Sequence, residues 1–287
     1  MLFNHLRSKS LYYENNIDLL HIKRLAIFAS FSANGKIDDY VVYYIKNLKK
    51  VCDAIIFVAD NSIIPNEFEK IKKYVIYASF NRHGEYDFGS YKRGYLYAKE
   101  KGLLNISEEL VLCNDSCYAP VYPFENMFSN MKQRKCDFWG ICANDQFCYH
   151  LQSYFLVFNA KVFKSKCFSD FILSIQKEKD VILKYEVKFT KLLESFGFTS
   201  SSFIAYNPNN EYPYVFSHDL THCPVYMMEQ NCPVIKRKAF LKEGCCFDGM
   251  GKVFDYLLKT FLLYIFHLYI VYYFYILYYL LVVLLLF

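Results

Sequence analysis

LVLCNDSCYAP, from Leu110 to Pro120, is a short apolar run that stops abruptly at the polar triplet Asn114, Asp115 and Ser116. A run of this kind is typical of a buried strand bounded by a turn. In open α/β sheets, ligands bind in the crevice outside the carboxyl ends of the strands. The stretch therefore predicts a buried strand that delivers a carboxylate, Asp115, to a ligand-binding cleft.

Apolar runs and helical patterns alternate on both sides of this strand. The predicted strands are Leu25–Phe31, Ala54–Ala59, Tyr74–Ala78, Leu110–Cys113, Asp137–Ile141 and Leu151–Phe158. An acidic N-cap at Asp38 or Asp39 and apolar residues at helical spacing predict a helix through Leu48, and another helix is predicted near Tyr91–Lys101. This alternation predicts an α/β fold, a Rossmann-like and mostly parallel sheet flanked by helices.

Composition excludes several classes of protein. The chain has 287 residues, of which 54% are hydrophobic, so it can bury a sizeable core and intrinsic disorder is excluded. The net charge is +5, and without a basic-aromatic module nucleic acid is not an expected partner. The eleven cysteines include no paired C-x-x-C sets, which argues against structural zinc, and charged residues interrupt residues 1–24, so we expect a reducing compartment.

The C-terminal stretch changes the expected class of protein. Residues 261–287, FLLYIFHLYIVYYFYILYYLLVVLLLF, contain no acidic or basic residue except His267. At about 1.5 Å per residue, a helix of this length crosses a hydrocarbon core of about 30 Å. The stretch predicts a C-terminal transmembrane helix, and the alternative is an unusually long buried core helix.

The charges before this stretch predict its orientation. Basic residues precede it at Lys236, Arg237, Lys238, Lys242, Lys252 and Lys259. The positive-inside tendency then places the preceding domain at the cytoplasmic face of the membrane, near anionic lipid. The expected organisation is an N-terminal extension (1–24), a catalytic domain (25–245), a basic juxtamembrane linker (246–260) and a single-pass anchor (261–287).

Polar residues follow two of the predicted strands. Asp60, Asn61 and Ser62 follow the second strand, and the triplet beginning at Asn114 follows a later one. Both groups would face one crevice if the strands are parallel, and a nucleotide could lie across it. The alternative for each group alone is a solvated turn, because Asn, Asp and Ser are common turn formers.

One carboxylate lies among apolar residues in a helix predicted over Asp180–Phe198, which begins at Asp180 and ends at Gly197. The apolar face of this helix comprises Ile182, Phe189, Leu193 and Phe196. Glu186 lies on the same face, four residues after Ile182. A carboxylate there is costly unless it is paired or lines a site, so Glu186 is a candidate general base. The alternative is a boundary residue that reaches solvent or pairs with a nearby lysine.

Several motifs, taken in order, carry a family resemblance. They are EYDFGSYKRGY (85–95), LVLCNDSCYAP (110–120), CDFWG (136–140), HLQSYFLVF (150–158), YEVKFTKLLESFGF (185–198) and CPVIKRKAF (232–240). Residues 24–240 thereby resemble the rhamnan synthesis protein F family of bacterial glycosyltransferases. The resemblance implies a GT-A-like fold and transfer from a nucleotide sugar into a rhamnose-containing cell-surface polysaccharide.

A more distant similarity to inverting GT-A transferases implies roles for individual residues. By this similarity, the residues expected to bind the nucleotide sugar are Ser30, Asp60, Ser62, Arg82, Asp87, Asn114, Asp115 and Ser116. Glu186 matches the catalytic carboxylate that precedes a helix with a terminal glycine, which makes it the general base. Trp139, His150 and Gln152 lie near strands that usually border the acceptor, although Trp139 is equally compatible with a buried position.

Metal dependence stays open at this stage. The triplet takes the place of the Asp-x-Asp motif that holds a divalent cation, but Asp115 is its sole anion, and Mg²⁺ or Mn²⁺ favours carboxylate oxygens. His218 or His222 could add a metal ligand, and a surface role is the alternative for either. Without a metal, Arg82, Lys92 or Arg93 would have to balance the diphosphate.

The sequence as a whole predicts a membrane-anchored rhamnosyltransferase that inverts configuration and acts on a lipid-linked glycan acceptor beside other polysaccharide-assembly enzymes. A transferase of another sugar is one alternative. A catalytically inactive, membrane-tethered scaffold of a polysaccharide-assembly complex is the other.

Overall fold

The computed structural model describes residues 12–15, 20–145, 147–205, 220 and 223–240. The predicted linker (246–260), the predicted anchor (261–287), His218 and His222 lie outside these residues. In the part of the chain that is described, no helix combines the length and the apolar character needed to cross a membrane.

A central sheet of eight strands carries the fold. In spatial order its strands are β1 (Tyr12–Glu14), β4 (Tyr77–Phe80), β3 (Ala54–Ala59), β2 (Ile22–Ser30), β5 (Ser107–Asn114), β10 (Phe155–Asn159), β7 (Phe138–Gly140) and β11 (Ser200–Ser202). Strands β4, β3, β2 and β5 are parallel to one another, and β7 is parallel to β11. Strand β10 is antiparallel to both of its neighbours, and the edge strand β1 is antiparallel to β4. The predicted α/β class and mostly parallel sheet are confirmed.

Two small sheets lie beyond the central one. Strand β6 (Cys117–Tyr118) pairs with β12 (Ile235–Lys236), and β8 (Ala143–Asn144) pairs with β9 (His150–Leu151). The first pairing holds residues 235–240 beside the carboxyl end of β5. The second turns His150 back toward the same region.

Helices cover both faces of the central sheet. They are α1 (Asp39–Leu48), α2 (Pro65–Phe68), α3 (Tyr86–Glu100), α4 (Leu103–Ile106), α5 (Phe124–Gln133), α6 (Ala160–Phe163), α7 (Lys166–Ser174), α8 (Val187–Ser195) and α9 (Pro224–Glu229). One core contains Tyr44 of α1 and Phe124 of α5, and the other contains Tyr91 of α3 and Phe189 of α8. The sheet is therefore buried on both faces, which explains why its central strands are continuous apolar runs.

Helix α3 packs closely on strand β2 through a glycine. A Cβ added to Gly94 would lie 2.4 Å from Cγ2 of Ile27, a separation that side-chain packing does not allow. This close approach holds the amino end of α3, which carries Asp87, at the carboxyl end of the sheet.

Some predicted boundaries were wrong for local reasons. Strand β4 begins three residues later than predicted, because Lys72–Tyr74 form a 3₁₀ turn. The predicted strand Leu151–Phe158 is divided between β9 and β10 by an intervening turn. Helix α3 begins at Tyr86, five residues before the predicted start.

Candidate active site

A cleft of about 460 Å³ opens at the carboxyl end of β5. Its walls include Asp87, Asn114, His150, Gln152, Ser153, Glu186, Lys236 and Lys238. These residues come from distant parts of the chain, and β5, α3, the β9–β10 turn and β12 bring them together. Ligands bind at this edge of open α/β sheets, as the apolar run before Asn114 predicts.

Asp115 joins the ends of two central strands. Its Oδ2 accepts hydrogen bonds from Oγ of Ser30, at 2.6 Å, and from the backbone N–H of Phe31, at 2.9 Å. Burial raises the pKa of the Asp115 carboxyl above its ordinary value, and these two hydrogen bonds oppose the increase. In this arrangement Ser30 and Asp115 tie the end of β2 to the end of β5.

Asn114 connects the triplet to helix α3. Its Nδ2 donates to Oδ2 of Asp87 at 2.7 Å, and its Oδ1 accepts from the backbone N–H and the hydroxyl of Ser116. Burial raises the pKa of Asp87 to about 6; the negative charges of Asp115 and Glu186 add to the increase, and Lys236 opposes it. Asp87 and Glu186 therefore face a common space.

Asp60 organises the loop before α3. Its Oδ1 accepts from the backbone N–H groups of His83, at 2.6 Å, and Gly84, at 2.8 Å, and its Oδ2 pairs with Arg82 at 3.0 Å. Ser62 is exposed beyond this loop. Asp60, Ser62 and Arg82 do not line the cleft described above, so any contact they make with a nucleoside lies beside it.

Glu186 reaches the cleft from an irregular helical turn. Residues Ile182–Glu186 form a π-helical turn that leads into α8. The predicted apolar face is partly wrong, because Ile182 is 55% exposed and Phe196 is 62% exposed, whereas Tyr185 is buried. The extra residue in a π turn shifts the side-chain register, and such turns are frequent at functional sites. Gly197 has a φ of +83° and ends the helix as predicted.

Ser153 forms hydrogen bonds to the Glu186 carboxylate, and His150 lies beside it. Its Oε2 accepts from the backbone N–H of Ser153 at 2.8 Å and from the Ser153 hydroxyl. Its Oε1 lies 3.8 Å from Nε2 of His150. Nδ1 of His150 lies 2.7 Å from the Cys148 carbonyl oxygen, which only accepts, so Nδ1 carries a hydrogen. Sequence reasoning missed Ser153, although the HLQSYF motif contains it.

The three predicted acceptor-side residues have different positions. His150 and Gln152 line the cleft, and Oε1 of Gln152 accepts from the Cys142 thiol at 2.9 Å. Trp139 is buried in the core, with its ring 5.5 Å from that of Phe128, and is not among the residues that line the cleft. The structure supports the alternative of a buried core residue for Trp139.

The basic residues of the cleft are not those expected. Lys92 donates to the Ile175 carbonyl, and Arg93 pairs with Glu85 at 2.7 Å. Lys179, Lys236 and Lys238 line the cleft instead. Lys236 and Lys238 come from the segment that pairs beside the triplet. The sequence argument counted both lysines only as charges preceding a membrane segment, because nothing local indicates that β12 pairs with the strand that follows the triplet.

The side-chain oxygens of the triplet fit a divalent cation poorly. Asn114 Oδ1 and Asp115 Oδ2 already accept hydrogen bonds, and the Lys236 ammonium donates to Ser116 Oγ at 2.7 Å. Among the residues that the structure describes, no three His, Cys, Asp or Glu side chains are grouped as a metal site. The tentative metal role of Asp115 is thus not supported by its contacts, and that of His218 falls outside the described residues.

The family model for rhamnan synthesis protein F matches residues 55–262, a span that contains Asp60, Asp87, Asn114, Glu186 and Lys236. No protein of curated function matches the chain at a significant level.

Three solved structures that are similar to the chain share little sequence with it. Core-mannan synthase A from Aspergillus fumigatus, in an Mn/GDP form, is 9% identical with a TM-score of 0.40, covering 66% of this chain and 74% of that one. A cytidylyltransferase from Leptospira borgpetersenii is 12% identical with a TM-score of 0.41, covering 82% and 94%. The mannosyltransferase Ktr4p from S. cerevisiae, in complex with GDP, is 10% identical with a TM-score of 0.36, covering 65% and 71%. Similarity this weak does not distinguish among their activities.

Proposed function

The chain belongs to the rhamnan synthesis protein F family, and from that premise we propose that it is a glycosyltransferase. In this proposal it moves a sugar, rhamnose, from a nucleotide-sugar donor to a lipid-linked or growing polysaccharide acceptor with inversion of configuration. The observation that carries the proposal is the Glu186 carboxylate, which lines a cleft at the carboxyl end of β5 and is held by Ser153. A positioned carboxylate at such a cleft suits a general base.

The geometry around Glu186 supports a way to hold the acceptor hydroxyl. In the neutral form of His150, with hydrogen on Nδ1, Nε2 carries a lone pair and faces Glu186 Oε1 at 3.8 Å. Two acceptor atoms then border one gap, and a hydroxyl group can donate into it. His150 would thus position the acceptor, and Glu186 would accept its proton.

The proposed reaction is a single displacement. As the acceptor oxygen attacks the anomeric carbon, its proton moves to Oε1 of Glu186 and the bond from that carbon to the diphosphate breaks. Asp87 and Asn114, which line the same cleft, would accept hydrogen bonds from the sugar donor and donate hydrogen bonds to it. The nucleoside diphosphate leaves, and the configuration at the anomeric carbon is inverted.

A transfer assay with a donor panel tests the proposal. The purified full chain would be incubated with nucleotide sugars, including nucleotide-activated rhamnose, and a lipid-linked acceptor, and NMR would give the anomeric configuration of the product. We expect transfer from the rhamnose donor with inversion. Transfer only from a different donor would contradict the choice of rhamnose and leave the glycosyltransferase proposal standing. The absence of transfer from every donor would favour the inactive scaffold.

We further propose that residues 261–287 anchor the enzyme to the cytoplasmic face of the membrane, where lipid-linked acceptors and other assembly enzymes would be within reach. The apolar composition of that segment and the basic residues Lys242, Lys252 and Lys259 before it support the proposal. The full chain should sediment with membranes, and a chain ending at residue 260 should not. Equal amounts of both chains in the soluble fraction would contradict the anchor.

A further inference from the structure

The segment 235–240 is hydrogen-bonded to the polar triplet and to strand β6, which follows it. Strand β12 pairs antiparallel with β6, so that Lys236 lies opposite Cys117, and the backbone N–H of Arg237 donates to the Ser116 carbonyl at 2.9 Å. These backbone contacts set the position of two basic side chains at the end of β5.

The Lys236 ammonium group lines the cleft and has N–H groups available to a ligand. Its Nζ donates to Ser116 Oγ at 2.7 Å and lies 4.6 Å from the centre of the Tyr154 ring. An ammonium group has three donors, and no carboxylate forms an ion pair with Lys236 within the described residues. Its charge also lowers the pKa of Asp87, which places it in the same space as the candidate donor-binding residues.

The neighbouring basic residues divide their roles. Lys238 is exposed and lines the same cleft. Arg237 points away from Lys236, with its guanidinium carbon 4.5 Å from the centre of the Tyr40 ring and a hydrogen bond to the Tyr40 hydroxyl. Strand β12 ends at Lys236 and a 3₁₀ turn begins at Arg237, so Lys236 lines the cleft while Arg237 holds the segment against Tyr40.

The arginines that could balance a diphosphate, and the triplet oxygens that could hold a metal ion on it, are already engaged. Arg82 pairs with Asp60, and Arg93 pairs with Glu85. Asn114 Oδ1 and Asp115 Oδ2 accept hydrogen bonds from within the protein. Lys179, Lys236 and Lys238 are the cations that line the cleft in the described part of the chain, and the last two belong to the segment that is bonded to the triplet.

We propose that Lys236 and Lys238 bind the diphosphate of the nucleotide sugar, in place of a divalent cation held by the triplet. Their charges would stabilise the negative charge that develops on the leaving nucleoside diphosphate. This inference rests on the proposed function, because it assigns the charge partner of the donor in the same cleft.

Calorimetric titration of the full chain with UDP, GDP and dTDP tests the proposal, in EDTA and again in Mn²⁺. We expect the preferred diphosphate to bind equally well in both. Loss of one charged hydrogen bond should weaken binding by about ten- to a hundredfold in Lys236→Met. Lys236→Arg should retain most of the affinity, and Lys135→Met, an exposed lysine away from the cleft, should bind as the wild type does.

The outcomes separate the inference from the proposed function. Binding that EDTA abolishes and Mn²⁺ restores, or unchanged binding in Lys236→Met, would overturn the inference and leave the glycosyltransferase proposal intact. Failure of the wild-type chain to bind any of the three diphosphates would count against both. Thermal unfolding of each variant, with Lys238→Met as a second cleft variant, distinguishes lost charge from lost folding.

Discussion

Burial raises the pKa of Asp87, on the wall of the cleft, from an ordinary value of 3.8 to about 6. Between these two values the folded chain binds more protons than the unfolded chain, so this group lowers the free energy of unfolding as pH rises from about 4 to 6. At neutral pH the ionised carboxylate is held in a site that disfavours it, beside the charges of Asp115 and Glu186. A donor that brings hydrogen bonds to Asp87 would relieve that cost.

Replacing Asp87 by Asn should therefore stabilise the unliganded protein at pH 7. The amide keeps an oxygen for Asn114 Nδ2 and removes the charge, so we expect a gain on the order of 2 kcal/mol in the free energy of unfolding at pH 7 that shrinks toward pH 4. Urea denaturation at several pH values measures it, with the exposed Asp170→Asn as the control. A gain in the free energy of unfolding that grows as the pH falls would contradict the prediction.

Ser153 contacts the Glu186 carboxylate, and we expect it to act by orienting that carboxylate. In Ser153→Ala the backbone N–H still donates to Glu186 Oε2, but the hydroxyl donor is lost. We expect kcat to fall about tenfold with little change in the KM for the donor, because the base is less well oriented. Steady-state kinetics check this against Ser195→Ala, whose hydroxyl bonds to the Leu192 carbonyl on the exposed side of α8. A fall confined to donor affinity would reject the positioning role.

Site residues on strands and helices with a clear local pattern could be predicted, and those placed by long-range pairing could not. Asn114 and Asp115 follow an apolar run that is a strand by its local sequence, so their place at the sheet edge was predictable. Glu186 was found for a partly wrong reason, since hydropathy at a period of 3.6 residues does not anticipate the π turn Ile182–Glu186. Lys236 was missed because its place depends on the pairing of β12 with β6, which are more than one hundred residues apart.

Close packing of α3 on β2 should be sensitive to one methyl group. In Gly94→Ala the new Cβ would meet Ile27 Cγ2 at 2.4 Å, so the helix or the strand must shift. We expect a loss of about 1–3 kcal/mol in the free energy of unfolding and weaker donor binding, because Asp87 begins the same helix. Lys99→Ala, on the exposed side of α3, is the control for helix propensity. In a double-mutant cycle with Ile27→Ala, simple additivity would contradict the contact.

For the whole molecule, the alternation of strands and helices up to β5 was predictable, whereas the antiparallel direction of β10 was not. Alternating apolar runs and amphipathic helices indicate a buried α/β sheet from local sequence alone. The reversal of β10 between β5 and β7 depends on the connections that enclose it, and no residue of β10 indicates its direction. That reversal sets His150 in β9 and Ser153 in the following turn beside Glu186. The position of His150 and Ser153 is thus a product of topology, whereas that of Asn114 follows from the end of its strand.

The central claim is that Glu186 is the general base of sugar transfer. The most direct measurement is the rate of transfer by Glu186→Gln, compared with Glu194→Gln on the same helix, together with the donor affinity of each variant. We predict that Glu186→Gln loses transfer by about 10² to 10⁴-fold while it still binds the donor, and that Glu194→Gln behaves as the wild type. Transfer by Glu186→Gln at the wild-type rate would contradict the account.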